Sequence, residues 1–487
     1  MRYFRIVPFL AAAYLAGCAP KVEDLAPGTR EAEIFPDYKE VTVPPNIAPL
    51  NFSLSSGDKG VAVLENAGKR LVLRARKGLF SIPEDSWREL AAPGSDITVT
   101  VAVREEGGLV ARKPFSIRVS EDRIEPYVAY RLIDPGYETW NKLGLYQRCL
   151  EDFTETPIMT NDETGRNCMN CHSFLNRDPG TMMFHMRSTN GGTYVWKDGA
   201  IEKLNTKTPQ TISALVYPYW HPSGKYIAFS VNDIAQFFHS TDPNRIEVYD
   251  YKSDVVVYDV ENHQVSTSPM LTDTTRMETF PSFSPDGKTL YYCSTRQPRM
   301  PQGYKDVRYS ICSIPFSQET FSFGDKVDTL YYASKTGLDA TFPRVSPDGR
   351  FLLFAETAYG CFAIWHKDSE LRMLDLKDGT LHTLDEINGP DADSYHSWSG
   401  NSHWIIWASR RLDGLYSRLF IAHIDENGNA SKPFLMPQKD MEHDRMLMKS
   451  YNVPEFISGP VTFDQGKMAE VAINDPGIQV TFTDSKR

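Results

Sequence analysis

Apolar and polar positions alternate with a period of two through most of this chain, and few stretches carry a helical period. Between about Val41 and Val119 the alternation falls into short runs. Val61-Ala62-Val63-Leu64, Arg70-Leu71-Val72-Leu73-Arg74, Ile97 to Val103 and Phe115 to Val119 are examples, separated by turns such as Glu106-Gly107-Gly108. They predict a small β-sandwich over residues 37–123. After residue 200 a motif recurs: Tyr217-Pro218-Tyr219-Trp220-His221-Pro222-Ser223-Gly224, Phe280-Pro281-Ser282-Phe283-Ser284-Pro285-Asp286-Gly287 and Phe342-Pro343-Arg344-Val345-Ser346-Pro347-Asp348-Gly349. Tyr395-His396-Ser397-Trp398-Ser399-Gly400 is a degenerate fourth copy. The copies start about 53 to 63 residues apart, the length of one four-stranded propeller blade with its loops. Ser-Pro-Asp-Gly suits a type I turn, and the run after it, such as Phe351-Leu352-Leu353-Phe354-Ala355, is apolar on both faces, as a strand sandwiched between neighbouring blades must be.

These repeats resemble the WD40-like repeats of TolB-type propellers over about residues 181–457, which implies a C-terminal β-propeller within residues 181–487. The sandwich is similar only in architecture to immunoglobulin-like and fibronectin-like modules, since no Cys pair or Trp marks its core. TolB itself has an α/β domain where this chain has a sandwich, so a role with colicins and peptidoglycan-associated partners does not carry over. Tyr451 to Phe456 reads as an inner strand without followers. Met182 to Met186, Thr193 to Trp196 and Ile201 to Leu204 read as three followers without an inner strand. Joining them gives a ring of five blades, with six as the alternative because residues 232–254 have room for further strands.

Between sandwich and propeller lies Cys168-Met169-Asn170-Cys171-His172, the spacing of a c-type haem attachment site. In a helical turn Cys168 and Cys171 share a face, on which two thioethers form while His172 becomes the proximal iron ligand. With 7 Cys and 11 His in 487 residues, chance supplies this pattern roughly twice in a thousand such chains. A dithiol redox motif calls for a βαβ context, but residues 161–179 are polar and loop-like. A zinc site calls for a second close pair of ligands, while Cys149, Cys293, Cys312 and Cys361 are scattered singly. Cys293 and Cys312 lie in successive strand-like runs, so a cross-strand disulfide and two buried free thiols both remain open.

Haem of this kind is attached outside the cytoplasm, and the N-terminus fits export. Arg2 and Arg5 precede an apolar run from Ile6 to Ala16, too short to span a bilayer, and Leu15-Ala16-Gly17-Cys18 follows. That tetrad resembles the lipobox of bacterial lipoproteins, which implies removal of residues 1–17, lipidation of Cys18 and a polar tether over residues 18–36. The expected location is the cell envelope, most simply the outer membrane, with either face open. A net charge of −11 argues against a nucleic-acid partner.

The segment 124–180 is expected to form the haem-binding wall, with Tyr137, Trp140, Tyr146 and Phe153 as its aromatic surface. Candidates for a sixth iron ligand are Met182, Met183, His185 and Met186, with His221 and His396 as outliers where a repeat is broken by a titratable residue. Arg276, Glu278, Asp339, Asp391 and Asp393 are expected to line one propeller mouth, where a partner protein would dock. No Gly-x-Ser-x-Gly elbow is present, which argues against a hydrolase propeller. The leading expectation is an electron carrier bearing one covalent haem c. The alternatives are a TolB-like envelope binding protein in which haem is structural or sensory, and a haem peroxidase-like enzyme with an open sixth position.

Overall fold

A computed structural model describes residues 28–55, 59–106, 108–135 and 142–483. Cys18 and its leader, and the proposed wall residues Tyr137 and Trp140, lie outside the described residues. Strands dominate, and no helix among the described residues is long and apolar enough to cross a membrane.

The N-terminal unit contains a six-stranded sheet whose main path runs Val41–Val43, Phe115–Val119, Asp96–Glu105, Gly60–Asn66, Lys69–Arg74. A three-stranded sheet of Ile34–Phe35, Phe52–Leu54 and Leu79–Phe80 accompanies it, with the short helix Glu84–Leu90. Val99, Val101, Phe80 and Trp87 are buried in one core, which continues into Trp404, Ile406 and Ile421 of the C-terminal unit; a Trp thus does mark this core, contrary to expectation, contributed by the short helix and not by a strand. The two units therefore share a hydrophobic core.

The rest of the chain forms a β-propeller. Six sheets have first strands Met169–Phe174, Val216–Trp220, Arg276–Phe283, Asp339–Val345, Asp393–Trp398 and Ser450–Ile457; we call these sheets I to VI. Each first strand touches the next, and Ser450–Ile457 touches Met169–Phe174, so the six close a cycle. Apolar side chains from both faces of the second strands fill the layers between sheets: Phe351 and Leu353 face one cluster, Leu352 and Phe354 another.

Closure differs from the expected pairing. Ser450–Ile457 pairs with Tyr127–Ile133, followed by Gly144–Cys149 and Glu155–Thr160, and not with Met182–Met186. Met182–Met186 pairs with Met169–Phe174, so the haem motif is itself the inner strand of sheet I. Residues 124–180 thus form no separate segment. They supply three strands of sheet VI and the first of sheet I. Residues 232–254 add no sheet. They lengthen a hairpin of sheet II, whose strands run Tyr226–Phe238 and Ile246–Asp259.

All six inner strands carry the same irregularity. In sheet I the register slips between Asn170 and Ser173, so that Cys171 and His172 together oppose Phe184. Tyr217-Pro218, Phe280-Pro281, Phe342-Pro343, Tyr395-His396 and Val453-Pro454 occupy the corresponding bulges. The first residue of each pair is left-handed, with φ from 48° at Val453 to 56° at Phe342. The bulge leaves the second residue out of the ladder, which is why proline is accepted there. Holding a non-glycine residue left-handed costs about 1–2 kcal/mol. Ring contacts offset part of that strain: Tyr217 meets Phe280 at 5.0 Å, Phe280 meets Phe342 at 4.1 Å, and Phe342 meets Tyr395 at 5.0 Å.

Cys293 and Cys312 cannot bridge, because Cys312 pairs with Tyr292 and Cys293 with Ile311. Successive residues point to opposite faces, and the two thiols enter different cores. Cys149 and Cys361 are likewise free and buried.

Candidate functional site

Cys168 stands just before the strand Met169–Phe174, and Cys171-His172 form the bulge inside it. Cys168, Cys171 and His172 border one cavity of about 640 Å³ along the axis of the ring. The expected helical turn is therefore replaced by a bulged strand that serves the same end. Both thiols are free. Burial raises the Cys171 thiol pKa, so the neutral thiol dominates at pH 7.

His172 is 4% exposed, and neither ring nitrogen has a partner with full hydrogen-bond geometry, the Val453 backbone being the nearest to one. Burial pushes its pKa down to about 3, with the positive charge of Arg131 acting in the same direction. A neutral imidazole with a free lone pair is the form that ligates a metal. Glu455 Oε1 lies 3.7 Å from His172 Nε2, while Glu455 Oε2 accepts the Phe174 N–H at 3.2 Å. Burial raises Glu455 to about 8, so at neutral pH it is mostly protonated.

Other cavity-lining groups are also left without partners: Asn170 Oδ1, Asn452 Oδ1, Arg131 Nε and His396 Nδ1. Buried polar atoms are ordinarily satisfied, so their convergence on one space marks a place built to receive something polar. Arg177, Arg187 and Arg344 border it as well. Arg177 pairs with Glu125 at 3.4 Å, and the Arg344 guanidinium sits over the Tyr219 ring at 5.0 Å. Apolar wall is supplied by Tyr217, Phe342, Phe362, Trp365, Tyr395 and Trp398. Among the described aromatics expected there, Tyr146 packs into the core shared with the N-terminal unit and Phe153 lies under Arg148; neither lines the cavity.

The sixth-ligand candidates separate cleanly. Met182 and Met186 pack in the core between sheets VI and I, Met183 in the core between sheets I and II. His185 is bonded to Thr193 Oγ1 at 3.1 Å. None of the four borders the cavity, because the second strand of a sheet faces its neighbouring sheets and not the axis. His221 is a stitch between turns, its ring bonded to Ser223 Oγ at 2.7 Å and to Gly287 O at 3.0 Å. His396 does line the cavity. It stands at the step of its bulge that His172 occupies in sheet I, with Nε2 bonded to Leu353 O at 3.1 Å and a pKa pushed by burial to about 3.

The expected acidic mouth is not there. Glu278, Asp339 and Asp393 are fully buried at the starts of their strands, where they accept from Ser294 Oγ, from Tyr309 N–H, and from Trp407 Nε1 and Arg411. Burial raises Glu278 to about 8. Arg276 is bonded through Nε to Ser294 Oγ, and Asp391 faces Arg410 at 4.0 Å. These side chains fix strand starts. The sequence signal that was missed is the recurring aromatic–Pro pair, which Cys171-His172 replaces in sheet I and Val453-Pro454 in sheet VI.

No protein-family model matches this chain, and no curated protein matches it. Among solved structures, a periplasmic gluconolactonase from Pseudomonas aeruginosa is 12% identical over 68% of this chain and 100% of its own, with a TM-score of 0.39. An oligogalacturonate lyase from Vibrio parahaemolyticus is 12% identical over 77% of this chain and 100% of its own, with a TM-score of 0.34. A puromycin hydrolase mutant, complexed with PGG, is 16% identical with a TM-score of 0.38; the match covers 63% of this chain and 45% of that one, so the chain spans less than half its length. The architecture given above rests on strand pairing and not on these likenesses.

Proposed function

We propose that this chain is an exported, lipid-anchored c-type haem protein that carries single electrons, with haem held in the channel of a six-bladed TolB-like propeller and an N-terminal β-sandwich packed beside it. The observation that carries the reading is His172, a buried neutral imidazole with neither nitrogen in a full hydrogen bond, on a cavity that also receives the thiols of Cys168 and Cys171. The residues fit the group: Cys168 and Cys171 would hold it through thioethers and His172 through the iron. When bound, haem c supplies a reversible one-electron centre.

The chain's own residues prepare that place. Cys171 and His172 in the bulge and Cys168 just before the strand all border the cavity, beside an aromatic wall. Arg131, with its free Nε, and Arg187 offer cationic partners for carboxylates. Depressed basicity keeps the His172 lone pair available across the physiological range. His396, in place of the strand Met182–Met186, is the further residue that could hold the group alongside His172, since it alone of those candidates reaches the channel. Lipidation at Cys18 would anchor the body to the outer membrane, beside a redox partner of the envelope.

The test is an optical spectrum of protein expressed with its leader and the haem-maturation machinery, as isolated and after dithionite, followed by denaturation. Haem that stays covalently bound, with sharp low-spin reduced bands, is expected. A folded protein without covalent haem would overturn the reading. One observation favours a second: Cys171-His172 stands at a bulge that every sheet has, so the cavity and its arginines exist whether or not the cysteines are used. In that reading the channel binds a small anionic ligand, in the manner of an envelope binding protein. Five-coordinate haem with rapid peroxide turnover would instead favour a peroxidase-like enzyme.

A further inference from the structure

A second group of metal-ligating side chains lies at the junction between the two units. Asp122 follows the last strand of the N-terminal sheet, Phe115–Val119, by three residues. It reaches sheet V where His403 precedes the strand Trp404–Ser409 and His423 ends the strand Arg418–His423. Trp404 and His423 are cross-strand partners, and the two imidazoles stack 11° from parallel with centroids 5.8 Å apart. One ligand atom from each of Asp122, His403 and His423 lies within 4.8 Å of the other two.

The hydrogen bonds around the group orient it. His403 Nδ1 lies 3.1 Å from the Ile424 carbonyl, which only accepts, so Nδ1 carries the proton and Nε2 keeps its lone pair free. A backbone carbonyl behind a ligating histidine is the usual outer support of a metal site. Asp122 Oδ2 is 2.8 Å from His423 Nε2 and also accepts from Ser120 Oγ at 3.2 Å. Ligand atoms around a tetrahedral ion with bonds of about 2.0–2.1 Å stand roughly 3.3–3.4 Å apart. The 2.8 Å pair must open by about half an ångström, with the ion taking the place of the proton that His423 Nε2 shares with Asp122 and that proton passing to Nδ1 or to solvent. The wider separations must close by up to ~1.4 Å, within reach of rotation by three half-buried side chains.

We propose that Asp122, His403 and His423 form a divalent transition-metal site of the zinc class, which clamps the N-terminal unit onto sheet V. Two imidazoles and one carboxylate suit zinc and its neighbours, whereas calcium and magnesium require oxygen ligands throughout. The clamp would reinforce bonds already present, since Trp404 Nε1 donates to Asp122 O at 3.2 Å and Asn401 Nδ2 to Arg123 O at 2.8 Å. Nothing in it depends on haem.

The experiment uses the full chain, stripped with a chelator and then dialysed against graded Zn(II), with retained metal counted by mass spectrometry. One ion per chain is expected. His403→Gln should weaken retention more than 100-fold, beyond the roughly 10–100-fold typical of losing an outer-shell partner. Zinc should raise the unfolding midpoint of the wild type and not of the variant. Co(II) in place of zinc should give a spectrum free of thiolate charge-transfer bands. Asp122→Asn provides a second variant if the first fails to fold. No retained ion, equal retention by wild type and variants, or a thiolate band placing the ion at cysteines would each overturn the proposal.

Discussion

Arg418 is the side chain whose loss should most damage ring closure. It is 1% exposed and donates to four carbonyls: Asp444 O at 2.7 Å, Leu447 O at 2.6 Å, Lys449 O at 2.8 Å and Ser417 O at 3.0 Å. Its Nε also faces Asp444 Oδ1 at 3.7 Å. Three of those carbonyls belong to the loop that delivers Ser450–Ile457, and that loop leaves its own Met446 and Met448 exposed. Its hold on the ring is therefore largely polar, with Leu447 packed against the neighbouring core. Arg418→Met keeps the stem volume and removes every donor. Breaking a buried ion pair costs about 3–5 kcal/mol, and a stranded carbonyl about 1–3 kcal/mol. We expect a loss of about 4–6 kcal/mol, allowing for partial relaxation. Asp444 adds a pH signature. Burial already lifts its pKa to about 7, against the pull of Arg418 and Arg148. A carboxyl with a raised folded pKa is protonated in the folded state below that value, so its stabilising contribution is lost as pH rises through it. Without Arg418 the pKa climbs further, and the deficit should be larger at pH 8 than at pH 5. Urea unfolding followed by tryptophan fluorescence at both values measures this, with limited proteolysis reporting on residues 440–449. A loss below about 1 kcal/mol, or one independent of pH, would refute the reasoning.

Other expectations follow from the same accounting. His185 is pressed by burial to a pKa of about 3, so its contribution is present above about 6.5 and lost as pH falls; His185→Gln should recover roughly 2 kcal/mol at pH 5, measured by urea titration against wild type. Asp250 has the opposite sign: burial raises it to about 7, stability falls as pH climbs from about 4 to 7, and Asp250→Asn should flatten that fall in a Tm–pH profile. Cys168→Ser and Cys171→Ser should each leave one thioether, detected as altered reduced-haem absorption, and the double variant should release haem on denaturation. Covalent haem surviving in the double variant would show that these thiols are not the attachment points.

The aromatic–Pro bulge was legible wherever its aromatic ring survived, which is why sheets II to V can be read from sequence. Sheets I and VI could not, because Cys171-His172 reads as chemistry and Val453-Pro454 as a fragment. Residues 124–180 read as a haem wall because their aromatic side chains fit that role equally well, and nothing local tells that Tyr127–Ile133 pairs with Ser450–Ile457. Glu278, Asp339 and Asp393 look like solvated loop charges until the structure shows their donors. That neither nitrogen of His172 makes a full hydrogen bond has no sequence signature at all; only the surrounding space reveals it.

Sheet VI joins residues separated by roughly 320 positions, and drawing the ends of so long a loop together costs about 5 kcal/mol in chain entropy. In sheets I to V the four inner strands are close in sequence and bear no such cost; only short C-terminal strands, Ile478–Gln479 on sheet I and Thr481–Phe482 on sheet II, are added at outer edges from afar. The seam between Tyr127–Ile133 and Ser450–Ile457 should thus be the last part to zip and the first to breathe, visible as faster amide exchange there than in sheets III and IV. Because Asn452 and Glu455 on that seam border the channel, a transient opening would expose its lining from the side. A bulky prosthetic group would then gain its route inward from the order in which the protein assembles itself.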